Sequence, residues 1–370
     1  MSKAFRVLLQ KIGSGTHTSE HLSRSEAADA MRMMLLQEAT PAQIGAFLIA
    51  HRIKRPTGEE MAGMLDAYDQ LGPVLPPLGD DRRVLVMGSP YDGRSRTASL
   101  SPLTALVLAT AGNLVLLHGG DVMPTKAGIP LVQTWQALGV DWTRLTLDHV
   151  WNILNTTGVG FIYLPTHFPL AQGLVQFRDE IGKRPPLATL ELIWSAYRGP
   201  AHIITGYVHP PTEAIMRTAF ALRHTTHFTT VKGLEGSCDL PRDRTAIIGI
   251  SDSPPTLGQS VSSPSSPESG FLRLHLHPRD YGVAGKNIPL DDATDQAQLM
   301  QSVLAGVKSE GLQSVVWNSG FYLWRSGTCP DVASGMALAE DLITKGRVLA
   351  QLHRLQAAIA HLSVSASVSA

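Results

Sequence analysis

Two cysteines, Cys238 and Cys329, are all that 370 residues contain. They are too few for a disulfide framework, and no Cys/His group stands at zinc-ligand spacing. A reducing cytoplasm is therefore the expected compartment. Neither sign of charge is in excess: 31 Lys and Arg balance 31 Asp and Glu, so no global field favours nucleic acid, a membrane surface or an acidic partner, although local patches remain open. No apolar run approaches membrane-spanning length, and the opening MSKAFRVLLQKIGSG lacks the apolar core and small-residue cleavage site of an export signal. What is present is 44% hydrophobic residues, enough for a large core and, at this length, for two domains of a soluble globular protein.

Three helix starts are written between residues 22 and 70. Ser23 with Glu26, Thr40 with Gln43, and Thr57 with Glu60 each pair a hydroxyl cap with a carboxylate or amide three residues later. Apolar residues then recur at helical spacing: Ala27, Met31, Met34 and Leu35; Ile44, Phe47 and Leu48; Met61, Leu65 and Tyr68. The Pro- and Gly-rich GPVLPPLGDD, Gly72 to Asp81, reads as a hinge. Beyond it, RVLVMG, NLVLLHG and VGFIYLP alternate with helical stretches at Pro102 to Ala111, Leu131 to Leu138 and Leu170 to Glu180. That alternation predicts an α/β fold with a mainly parallel sheet. HIITGYV, FTTVKG, TAIIGI and FLRLHLH add strands; Ala293 to Val307, Leu312 to Trp324 and Val332 to Lys345 add helices. Ser251 to Gly270 is a Pro/Ser-rich loop, and the tail SVSASVSA is expected to fray.

The run EATPAQIGAFLIAHRIKRPTGEEMAGMLDAY is similar to the N-terminal helical domain of the anthranilate phosphoribosyltransferase and nucleoside phosphorylase family, glycosyltransferase family 3. Gln43, Ala46, Phe47, Leu48, Ala50, Arg52, Lys54, Thr57, Glu59 and Glu60 match its Q-x-x-A-F-L-x-A-x-R-x-K-x-x-T-x-E-E. LVLLHGG resembles the family's A-K-H-G-N, WQALGVDW its L-E-A-L-G-V, and VKGLEGSCD its V-H-G-x-D-G-L-D-E. GFIYLPTHFPLAQGLVQFRDEIGKR resembles the segment that carries the family's H-P-A-M. The resemblance implies a small all-α domain at 1–75 hinged on a larger α/β domain at 76–370, with helices near 168–182 packing on the small domain. It also implies a homodimer through the N-terminal helices, and phosphoribosyl diphosphate with magnesium in the cleft between the domains.

VMGSPYDGRSRTASLSP, Val86 to Pro102, lies where the family has G-T-G-G-D-G and T-x-N-x-S-T. Gly88, Asp92, Gly93, Thr97 and Ser101 match, and Ser101 reads as a helix cap with Pro102 at the first helical position. Such a turn cradles phosphate because glycine lets the backbone approach and the helix N-terminus offers free N–H groups. Pro90 has no N–H, however, and Tyr91 puts a ring where two glycines should admit the ligand. Arg94 and Arg96 stand ready to replace the lost amides as phosphate ligands. The acidic pair that holds magnesium in the family falls on Cys238 and Asp239, which leaves Asp239 and Ser101 as the metal ligands. By the same resemblance His118, His167, Arg178 and Arg184 line the acceptor pocket; no general base is assigned.

PYDGRSRTASLSPLTAL resembles still better the Y-N/D-G-x-R-R loop of the TrpD-like paralogue branch, which includes nucleic-acid binders. Two functions follow from the resemblance: a phosphoribosyltransferase-like protein that binds a small phosphorylated ribose ligand, or a non-catalytic nucleic-acid-binding homodimer using Arg94, Arg96, Arg178 and Arg184. Ordinary anthranilate transfer is expected to be absent or very weak.

Overall fold

A computed structural model describes residues 2–15, 17–79, 82–251, 270–290 and 293–368. Apart from its two end residues, the Pro/Ser-rich loop lies outside them, as do residues 80–81 of the hinge. Four helices come first: α1 (Lys3–Gly13), α2 (Arg24–Leu35), α3 (Pro41–Lys54) and α4 (Gly58–Leu71). The last three begin at the caps legible in the sequence, each a complete capping box with reciprocal side-chain and backbone bonds. Every apolar residue of the helical pattern is buried, so the methionine-rich faces are core. α1 is capped by Ser2 without a carboxylate in its first turn and so carries a weaker sequence signal; its Phe5 packs on Phe47 with ring centroids 5.4 Å apart. α2 and α4 meet closely because position 63 is glycine: a Cβ there would stand 2.0 Å from the Arg24 carbonyl oxygen.

The larger part is built on seven strands: β1 (Val84–Met87), β2 (Leu114–Gly119), β3 (Val159–Tyr163), β4 (Ala201–Gly206), β5 (Phe228–Val231), β6 (Ala246–Ser251) and β7 (Phe271–Leu276). Their order is β3-β2-β1-β4-β5-β6-β7. The first five run parallel, β6 is antiparallel to β5, and β7 is antiparallel to β6. All seven coincide with runs read as strands. β1, β2 and β3 are buried along their whole length, as expected when helices cover both faces. α5 (Ser101–Thr110) follows β1. The expected helix from Leu170 to Glu180 is two pieces, Pro169–Gln172 and Val175–Ile181, with Gly173 between them, and the second piece packs on α3. Helix Pro210–Leu222 lies against α4, where Gly58 lets Thr218 approach. The tail expected to fray is helical through Val368.

Strand order reverses between β1 and β4, and in open α/β sheets ligands bind beyond the carboxyl ends of strands at such a point. The turn after β1 lies there.

Glu60 anchors the helical part. It is fully buried and accepts from Leu22 N at 2.9 Å, Thr57 N at 2.8 Å, Lys54 Nζ at 2.9 Å and His51 Nε2 at 3.3 Å. Burial alone would raise this carboxyl, but His51, Lys54 and the backbone donors outweigh it and bring it to about 2. A carboxylate depressed in the folded state adds stability that is complete above its unfolded pKa, near 4.5, and vanishes as pH falls through 2. Glu60→Ala should therefore cost about 3–5 kcal/mol at pH 7, since it strands Lys54 and two backbone donors. The difference from the parent should narrow from pH 4.5 downward, as chemical denaturation at several pH values would measure.

Candidate functional site

The turn after β1 begins with Gly88, whose missing side chain is a packing requirement. A Cβ there would stand 2.1 Å from the Leu192 carbonyl oxygen. Gly93 has φ 75°, and a side chain on it would strike Gly128. Instead the turn pairs with the 127–129 strip, through Gly128 N to Asp92 O at 2.9 Å and a reciprocal pair between Arg94 and Ile129 at 3.1 and 2.8 Å. The two glycines read as phosphate-binding thus have structural partners within the chain.

Tyr91 is buried and turned inward. Its hydroxyl lies 2.7 Å from His118 Nδ1, and His118 in turn sits edge-on to Trp194 at 5.3 Å. Trp194, Phe168 and Tyr68 continue the aromatic packing. Burial pushes the His118 imidazole down to about 4, so it is neutral at pH 7.

Arg94 differs most from its expected role. Instead of facing an anion in solvent, it is 2% exposed. Its Nη1 donates to Asp239 Oδ2 at 2.8 Å and to Ser237 Oγ at 2.6 Å, its Nη2 donates to Thr97 Oγ1, and its Nε donates to Glu235 Oε1 at 3.4 Å. The other oxygen of Asp239 accepts from Ser101 Oγ at 3.0 Å. Ser101 is accordingly not a cap: α5 starts at Ser101 itself, with Leu100 at the cap position and no side-chain cap bond.

Magnesium binds hard, free oxygen ligands. Here the single expected carboxylate is engaged on both oxygens, one of them by a guanidinium, so the residues present do not fit the ion. Among the described residues no cluster of three or more His, Cys, Asp or Glu could hold a metal. Cys238, in the place of the second acid, is buried, donates to Gly88 O at 2.8 Å, and has its thiol pushed up by burial.

Glu235 carries no sequence signal of its own beyond standing in VKGLEGSCD, yet it completes the cluster. Its side chain is 3% exposed. It accepts from the backbone N–H groups of Ser95 at 3.2 Å, Arg96 at 3.0 Å and Thr97 at 2.9 Å, and from Thr97 Oγ1 at 2.9 Å. Lys126 Nζ lies 2.5 Å away. Burial would raise this carboxyl, but Lys126, Thr97 and Arg94 hold it well below the usual carboxylate range. Arg96 is the exposed member of the turn, with 78% of its side chain accessible and its Nε 3.8 Å from Glu235.

Of the residues expected in the acceptor pocket, His118, Arg178 and Arg184 all border the Tyr91–Asp92 turn, while each has its own partners. His118 faces Tyr91. His167 has both ring nitrogens on backbone, accepting from Tyr163 N at 2.9 Å and meeting Leu145 O at 2.7 Å, an arrangement that fixes the chain after β3. Arg178 is buried, paired with both oxygens of Glu191 and 3.3 Å from Met123 Sδ; burial lowers it to about 10, still charged at pH 7. Arg184 is about one-third exposed and lies 3.5 Å from Asp92.

Residues 6–72 match the glycosyl transferase family, helical bundle domain. The anthranilate phosphoribosyltransferase of Verminephrobacter eiseniae is 25% identical over 345 residues, 92% of this chain and 95% of that protein. That of Delftia acidovorans is 25% identical over 354 residues, 94% and 96% respectively. Among solved structures, anthranilate phosphoribosyltransferase (TrpD) from Thermus thermophilus superposes with TM-score 0.73 at 22% identity, over 97% of this chain and 99% of that one. The enzyme from Saccharomyces cerevisiae in complex with PRPP and Mg superposes with TM-score 0.79 at 16% identity over the same shares. Residues 6–72 thus form a glycosyl transferase family helical bundle domain, and over nine-tenths of its length the chain is similar to anthranilate phosphoribosyltransferases and shares their fold, a helical bundle beside a mostly parallel α/β sheet.

Proposed function

We propose that this protein binds a phosphorylated ribose ligand at the mouth of the cleft between its helical domain, 1–75, and its α/β domain, 76–370, and that it does not carry out magnesium-assisted transfer to anthranilate. The observation that carries this reading is the Arg94–Asp239 pair. Transfer from phosphoribosyl diphosphate needs the leaving diphosphate held by preorganised donors and a cation. Here the chain's own cation sits on the carboxylate, Tyr91 fills the glycine positions, and His118 is bonded to Tyr91. The ligand class comes from the yeast relative, which was solved with PRPP and Mg. Exposed Arg96 and part-exposed Arg184 are the cations left to meet phosphate at the mouth. The resemblance of the loop to that of the TrpD-like branch supports this reading, and two free buried cysteines suit a reducing cytoplasm.

Calorimetry with phosphoribosyl diphosphate should give the same affinity with and without magnesium, and anthranilate should release no diphosphate. One preorganised donor is worth about a hundredfold in rate, so the loss of several leaves nothing measurable. Magnesium-dependent turnover would overturn the reading.

A second reading, a nucleic-acid-binding homodimer, is favoured by the position of Arg96. A cation standing outside the turn reaches the backbone of a strand laid across the mouth as readily as a small ligand. In that case Arg96→Ala with Arg184→Ala should weaken binding of a single-stranded oligonucleotide at least tenfold and make the salt slope shallower by about 1.4, at about 0.7 per phosphate contact. Arg96→Ala alone should leave the melting temperature nearly unchanged, since Arg96 is exposed and Glu235 keeps its other donors. Unchanged binding and slope would exclude a role for these two arginines.

The homodimer is assigned to the N-terminal helices, where Val7 on α1 and Ile53 on α3 are 64% and 73% exposed. Sedimentation should give a dimer at micromolar concentration, shifted toward monomer by Ile53→Glu; a parent that sediments as a monomer would contradict the assignment.

A further inference from the structure

The turn after β1 lies beyond the carboxyl ends of the strands. At the opposite end of the sheet, where β4 begins at Ala201 and Thr225 leads toward β5, a cavity of about 170 Å³ lies between α4 and the larger domain. Its walls include Leu65 of α4, Trp194, Ile203 and Phe220, each no more than 6% exposed. An apolar cavity of roughly 150 Å³ takes up a benzene ring, so this one has room for a single ring.

The rim is charged. Asp69 accepts from Arg198 Nη1 at 2.8 Å and from Arg223, and its backbone carbonyl accepts from Arg198 Nη2 at 3.0 Å. Arg223 also pairs with Asp66, which Arg24 Nε meets at 2.6 Å. The chain Arg198–Asp69–Arg223–Asp66–Arg24 therefore begins and ends on a cation and carries one positive charge in excess. Arg198, Asp69 and Arg223 are the members that line the cavity. Arg198 shares Asp69 with Arg223 and keeps 31% of its side chain accessible. A guanidinium that gives one carboxylate only part of its donors retains N–H groups for a second.

We propose that this cavity binds a small aromatic monocarboxylate, with its ring against Trp194 and Phe220 and its carboxylate on Arg198 and Arg223. The apolar walls select a ligand with a hydrophobic body, and the excess cation selects its charge. The site is separate from the mouth, which stands at the other end of the strands. It also spans both domains, since Leu65 and Asp69 come from the helical domain and the other walls from the α/β domain. Occupancy therefore ties the two together and raises the melting temperature.

The test is calorimetry on the full chain with benzoate, with acetate, which has the charge without the ring, and with benzyl alcohol, which has the ring without the charge. The parent should bind benzoate saturably with a Kd of about 1 mM or tighter, and acetate and benzyl alcohol at least tenfold more weakly. Arg198→Ala should weaken benzoate at least tenfold, and Ala201→Leu, which fills the cavity from the start of β4, should do the same without touching a charge. Where Arg198→Ala does not fold, Ala201→Leu and the benzyl alcohol comparison decide. The proposal is overturned by no saturable benzoate binding in the parent, by benzyl alcohol binding as tightly as benzoate, or by benzoate affinity within twofold of the parent's in either variant, which would place the ligand elsewhere. Neither Arg198 nor Ala201 lies at the mouth, so failure here leaves the function proposed above standing, and the reverse holds.

Discussion

The buried guanidinium of Arg94 is the interaction on which the rest of the site depends. It neutralises Asp239 and shares Glu235 with Lys126. Through these bonds it ties the turn after β1 to the segment after β5, two strands separated in the sheet only by β4. A charge removed from water is stable only when paired and fully hydrogen-bonded. Arg94 meets that condition with Asp239, Ser237, Thr97 and Glu235. Removing Arg94 would leave Asp239 without a cation inside the protein, so the cluster is built around the guanidinium.

This arrangement accounts for substitutions that look like losses in the sequence alone. A turn that receives a diphosphate and a metal must keep open backbone donors and free carboxylates. Here Pro90 contributes no donor, the Tyr91 ring fills space beside His118 and Trp194, and the glycines that persist are required by the Leu192 and Gly128 backbones. The acceptor side is similarly consolidated: Arg178 against Glu191, His167 against backbone. These contacts favour a rigid interior around the turn.

Most of the fold was legible in the sequence because its signals are local. Capping boxes at Ser23, Thr40 and Thr57 require only residues three apart, and the buried strands are short apolar runs bounded by turns. The break at Gly173 and the start of α5 at Ser101 depend on tertiary contacts, and the sequence pattern missed both. The site was legible in part. Sequence placed Arg94, Thr97, Ser101 and Asp239 in one neighbourhood, and the structure joins them in one hydrogen-bonded cluster. What the sequence could not convey is which partner each meets. A guanidinium two residues from an exposed one looks the same in sequence whether it faces solvent or a carboxylate far along the chain. Glu235 went unremarked for the same reason, since a single acid between two glycines becomes informative only when three amides are seen to point at it.

Manganese binding, followed by electron paramagnetic resonance as the loss of free-ion signal, tests the central claim most directly, because it reads occupancy of the carboxylate without requiring turnover. The account predicts that the parent protein takes up no stoichiometric manganese, either alone or with inorganic diphosphate present. A bound ion in the parent that Asp239→Asn abolishes would contradict it, because the carboxylate would then be serving a metal and not Arg94.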